Sequence, residues 1–291
     1  VTITVIFTET GVGMDTSVSP TVLINGITDS PITVTQSSYT GTTWTGTFTL
    51  ADNDEEKTAT ISVAGAKDLA NNVMDANLSA GTFAVDTVTP LAPIVSDPAE
   101  AVTLNVANYI ITGTAEAGST VKVYKGGTLA GSGTADATSG EYSISVALAQ
   151  DSVNNFTVTA TDAAGNESEA ATVPAITEDS TPPAVAITAP LDEAKVNGDE
   201  IITFTGNEST SSQCSINGTN WVDCESGVTT LADITGFGAL PEGDFTLYLK
   251  DTDAAGNVGT DDVSLTKDTA APTISGVDIN DTDANGYLDE I

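Results

Sequence analysis

The chain has 291 residues, with 41 acidic against 7 basic side chains, all of them lysine, no histidine, and a formal charge of −34. Such a surface repels nucleic-acid phosphates and anionic lipid, which are bound through lysine and arginine. Without histidine or arginine there is no ordinary nucleophilic dyad and no guanidinium clamp, so no enzyme is expected. What this charge attracts is cations, and its self-repulsion calls for salt or bound cations to offset it.

Alternation of apolar residues with Thr, Ser or Lys predicts strands at 1–7, 43–50, 58–63, 120–124, 141–146, 155–160, 201–205 and 245–249. Gly, Asn, Asp and Pro interrupt these runs, and no helix longer than a turn is expected. About seven short strands in about 90 residues is the arithmetic of an immunoglobulin-like sandwich. The expected fold class is therefore all-β, tandem immunoglobulin-like β-sandwich domains in an extended array. No run approaches the ~20 apolar residues of a membrane span. With no signal peptide and no starting Met, secretion or anchoring signals are expected to lie outside this sequence.

The period is carried by a pair of motifs. Asp68-Leu-Ala-Asn-Asn72, Asp162-Ala-Ala-Gly-Asn166 and Asp253-Ala-Ala-Gly-Asn257 are each followed by an Asp-x-x-x-Pro step, at Asp86 to Pro90, Asp179 to Pro183 and Asp268 to Pro272. The expected division is 1–86, a domain lacking its first strand; 87–179 and 180–268, two whole domains; and 269–291, the first strand and acidic loop of a following or neighbouring one. In such a sandwich the B–C and F–G loops return to the end where the linker enters. The Asp-x-x-x-Asn loops read as F–G loops, and Glu116 and Glu208 stand in B–C loops. Linker Asp, next-domain Glu and next-domain Asp should thus converge as Asp86, Glu116 and Asp162, and as Asp179, Glu208 and Asp253. By periodicity Asp268 would meet Glu9 and Asp68 of a following unit.

Thr159 to Asn166 with Asp179 to Pro183, and Gly113 to Tyr124, resemble the F–G loop, linker and B-to-C passage of bacterial Ig-like repeats of large secreted adhesins and other cell-surface proteins. Cys214 to Cys224 is similar to a cysteine hairpin in some of these repeats. The resemblance covers nearly the whole chain and implies calcium held at domain junctions, stiffening an otherwise flexible string. Calcium takes six to eight oxygens, and each expected carboxylate cluster, with Asn166 or Asn257 beside it, has that chemistry. The alternative is that these Asp and Asn residues only cap turns. Asn71 stands where the other loops have Gly165 and Gly256, making the first loop the departure from the pattern.

Two further sites are local. Cys214 and Cys224 flank Asn217-Gly218, a dipeptide that favours a tight hairpin turn, so a disulfide suited to an oxidising exterior and two free thiols are both open. The tail places oxygen ligands at Asp281, Asp283 and Asn285, glycine next and a carbonyl at Tyr287, matching the first half of an EF-hand loop. Asp289 or Glu290 would have to close that shell. The expected function is a calcium-stiffened extender segment of a bacterial adhesin or surface filament, extracellular, whose partners are neighbouring repeats or subunits. A head-to-tail filament or lattice subunit completed by donor strand 272–291, and a glycan- or protein-binding module using the enlarged loop 226–243, are the alternatives.

Overall fold

A computed structural model describes residues 1–207 and 210–276; Glu208 and the tail positions Asp281, Asp283, Asn285, Tyr287 and Asp289 lie outside the described residues. The described chain is strand and loop, with two three-residue 3-10 turns, Leu231–Asp233 and Phe237–Ala239. Three hydrophobic cores form, centred on Trp44, on Phe156 and on Leu247 with Leu249. The chain divides into two compact units: 1–102, 107–148 and 153–176 make the first, and 103–106, 149–152 and 177–291 the second.

In the first unit, one sandwich pairs the sheet of Thr2–Ile6, Thr43–Thr47 and Thr35–Thr40 with that of Ile32–Thr33, Thr21–Asn25, Glu56–Ala64 and Asn77–Asp86. The next sandwich sets Asn108–Thr114 between Glu141–Ala147 and Ile94–Asp97, facing a sheet of Thr128–Thr134, Thr120–Lys125, Phe156–Thr161 and Ala171–Thr172. Period two explains the layering. Tyr142, Ile144 and Val146 are buried while Glu141, Ser143 and Ser145 between them are exposed, so one face of the strand enters the core and the other meets water. Each fully buried aliphatic or aromatic side chain contributes roughly 1.5–3 kcal/mol against the entropy of ordering the chain.

In the second unit, Val185–Ala189 pairs with Thr203–Gly206, and a five-stranded sheet runs in the order Lys195–Val196, Val258–Lys267, Gly243–Thr252, Ser211–Ser215, Val222–Asp223. Cys214 and Cys224 are joined as a disulfide, with Cα atoms 5.5 Å apart. Cys214 sits opposite Val222, and the main-chain N–H of Cys224 donates to Ser212 at 3.0 Å. The turn between them is held by Asn217, whose side-chain oxygen accepts from the N–H groups of Thr219 and Asn220 at 2.9 and 2.8 Å. Gly218 adopts φ 69°, which a Cβ would disfavour.

The loop 226–243 is built as a plug. Its 3-10 turns drive Leu231, Ile234 and Phe237 into the third core, and Phe237 meets Phe245 edge-on at 5.7 Å. Both tryptophans are likewise engaged. Trp44 is fully buried and donates from Nε1 to Gln36 at 2.9 Å, and the Lys250 ammonium lies 4.5 Å above the Trp221 ring. Among the described residues no helix is long and apolar enough to cross a membrane.

Candidate functional site: the Asp–Asn loops and the linkers before them

All three loops close the same way. The N–H of Asp68 donates to the Asn72 carbonyl, that of Asp162 to Asn166 and that of Asp253 to Asn257, each at 3.1 Å. The Asn main chain donates back to the Asp carboxylate, at 2.7, 2.9 and 2.8 Å. The Asn side-chain NH2 then takes the second carboxylate oxygen, at 2.7, 2.8 and 2.9 Å. Gly165 and Gly256 turn the loop at φ 100° and 87°, and Asn71 does the same at φ 63°. Asparagine enters left-handed backbone with little penalty, so the first loop keeps the shape despite lacking the glycine.

The NH2 group has a second proton, and it goes to the linker. Asn166 Nδ2 donates to the main-chain carbonyl of Asp86 at 3.2 Å, and Asn257 Nδ2 to that of Asp179 at 2.9 Å. In the second case Asn257 Oδ1 also accepts from Asn105 Nδ2 at 2.6 Å. These two loops thereby grip the linkers that precede them. Ala163 and Ala164 of the Asp162 loop share a surface hollow with Asp86, Thr87 and Glu56. The pair Asp253 and Asn257 is buried, whereas Asn72 is exposed.

The linker carboxylates cap their own turns. Asp86 Oδ1 accepts from the N–H of Val88 at 3.1 Å and Asp179 Oδ1 from Thr181 at 3.2 Å. Asp268 donates its N–H to the Val196 carbonyl at 2.9 Å. Glu116 is exposed and lines a hollow with Leu91 and Ala92 of the linker and Ile94 of the strand that follows it. Glu9 accepts from Gly11 N–H at 2.6 Å. Among the described residues no three Asp, Glu, His or Cys side chains form a group that could hold a metal ion. The carboxylate and linker carbonyl that the Asn166 and Asn257 NH2 groups bridge are nonetheless both oxygen acceptors, the donor type a hard cation takes.

Electrostatics reports the same clamp. The Asn72 side chain and main chain hold the Asp68 carboxyl below its ordinary value of 3.8. Burial pushes Asp162 and Asp253 upward, but hydrogen bonds from Asn166 and Asn257 outweigh it and leave both carboxyls lowered. A depressed carboxyl pKa stabilises the folded state above the unfolded value and stops doing so as pH falls through the folded one. Hydrogen exchange of the Asn72, Asn166 and Asn257 amides should therefore be slow and flat from pH 7 to about 4 and quicken, relative to intrinsic rates, only below that. Loss of protection centred near neutral pH would mean that these carboxylates do not hold the loops.

The family model described as bacterial Ig domain matches residues 96–177 of the chain. Among similar solved structures are the Clostridium thermocellum CbhA fibronectin(III)-like modules, 17% identical, covering 64% of this chain and 100% of that one with a TM-score of 0.39. A 1.5-MDa bacterial ice-binding adhesin is 20% identical over 92% of this chain and 88% of that one, with a TM-score of 0.34. A tetra-tandem repeat in the extending region of a large adhesion protein is 16% identical over 86% and 66%, with a TM-score of 0.28. No curated protein is significantly similar.

Proposed function

We propose that this chain is a structural extender segment of a bacterial cell-surface adhesin or surface filament, whose repeats are tied through their linkers. The observation that carries this reading is the repeated use of one asparagine to bond the preceding linker carbonyl, Asn166 on Asp86 and Asn257 on Asp179. A loop that spends its only spare donor on the incoming chain is built for continuity between repeats. Its asparagine NH2 is shared between the loop carboxylate and the linker carbonyl.

Calcium belongs to this proposal as a second tie. Asp86, Glu116 and Asp162, and Asp179, Glu208 and Asp253, are the residues that would hold it, supplying positive charge to a chain of net −34. Small-angle scattering in calcium and then in chelator tests this part. The expected result is a longer maximum dimension with a narrower spread in calcium. Identical curves would remove calcium while leaving the asparagine tie standing; Asn166→Ala and Asn257→Ala broadening nothing would remove the tie itself.

A further inference from the structure

Strand Thr120–Lys125 carries a lysine on its core face. Val121 and Val123 are fully buried, and alternation places Lys125 on their side of the strand. Its cross-strand neighbour is Phe156, itself buried, and the Lys125 ammonium lies 5.9 Å from the centre of that ring. The ammonium donates to the side-chain carbonyl of Asn154, a residue with no solvent exposure. A lysine nitrogen is thus held against a carboxamide that water does not reach.

The chain's other lysines show what is particular here. Lys267 is buried as well, but its ammonium ends on the main-chain carbonyls of Phe237 and Leu240, at 3.2 and 2.7 Å, which offer no leaving group. Lys67 reaches Asn71 Oδ1 at 3.1 Å in an exposed contact, where water competes for both partners. Among the described residues, Lys125 with Asn154 joins a core-facing amine to a fully buried primary amide.

We propose that Lys125 and Asn154 become joined by an intramolecular isopeptide bond. Lys125 Nζ forms a bond to Asn154 Cγ and the Cγ–Nδ2 bond breaks. Two of the three ammonium protons pass to the departing nitrogen, which leaves as ammonium ion. Atoms and charge balance, and neither oxidant nor cofactor is consumed. The product would tie strand Thr120–Lys125 to strand Ser152–Asn154 through a bond that denaturant does not break, which suits a segment that transmits load.

Intact mass spectrometry of the reduced chain decides it. The expected mass is about 17 Da below that of the sequence, the loss of one ammonia, with a branched peptide containing both Lys125 and Asn154 after digestion. Lys125→Arg, which keeps the charge but cannot attack, and Asn154→Ala should each restore the full mass expected for their sequence. A wild-type chain at full mass overturns the proposal whatever the variants do. So does a loss of about 17 Da that persists in Lys125→Arg, since it would then belong to ring closure at an Asn-Gly step such as Asn217-Gly218.

Discussion

Trp44→Ala is expected to cost the first sandwich about 3–5 kcal/mol, a large share of a domain stability of the order of 5–15 kcal/mol. The indole is fully buried and its N–H reaches Gln36, so truncation opens a cavity and removes that hydrogen bond at once. The ring also dictates its neighbour. A Cβ at Gly46 would run into the Trp44 ring and would stand 2.8 Å from both the Thr35 carbonyl oxygen and Val34. Gly46→Ala should therefore be damaging in the wild type and less so beside Trp44→Ala, where the ring is gone. A double-mutant cycle by calorimetry checks this. Strict additivity of the two losses would show that the ring does not occupy that space.

The strongly alternating strands were legible, and the weakly patterned ones were not. Glu141–Ala147 announces itself through Tyr142, Ile144 and Val146. Asn77–Asp86, by contrast, contains Asn, Ser, Gly and Asp and is exposed over most of its length, so neither propensity nor alternation marks it. It is a strand because Glu56–Ala64 offers it a ladder running from Asp86 to Asn77. Val258–Lys267 is similar: Gly259, Asp261 and Asp262 argue against it locally, yet it pairs along its full length with Gly243–Thr252. Tertiary pairing overrides local preference in both.

Loop 226–243 shows the opposite limit. Its length and its aromatic residue leave a recognition loop open as an alternative, because sequence does not say which way Phe237 points. Leu231, Ile234 and Phe237 fall on successive 3-10 corners, so all three turn inward together. At the joints, strand order was enough to bring the Asp162 and Asp253 loops to their preceding linkers. What it did not supply was the polarity of the contact. Asn carries an acceptor and two donors, and weighing Asn166 and Asn257 as oxygen ligands considered only the first. The donors are selected by what surrounds them: a carboxylate oxygen and a linker carbonyl, both acceptors.

That polarity makes Asn257→Asp the most damaging polar substitution expected at a joint. The change is one atom, with no loss of volume, yet it replaces the NH2 that sits 2.9 Å from both Asp253 Oδ2 and the Asp179 carbonyl with a charged oxygen. Two buried carboxylates would then face each other with no proton between them. The expected loss at pH 7 is on the order of 3 kcal/mol, against a small loss for Asn72→Asp in its exposed loop. The pH dependence separates this cause from a simple packing defect. Lowering pH lets the facing pair share a proton, raising the folded pKa of one carboxyl. A raised folded pKa adds stability as pH falls, so the variant should gain relative to wild type on going from pH 7 to about 4, while wild type begins to lose its Asp253 clamp below that. Urea unfolding of both chains across this range, followed by hydrogen exchange in the Gly243–Thr252 strand, gives the two slopes. Parallel slopes would mean that the Asn257 amide does not face the Asp253 carboxylate. Added calcium should close part of the gap at pH 7 if a cation can take the place of the amide between these oxygens, and a gap that calcium leaves untouched assigns the joint to the amide alone.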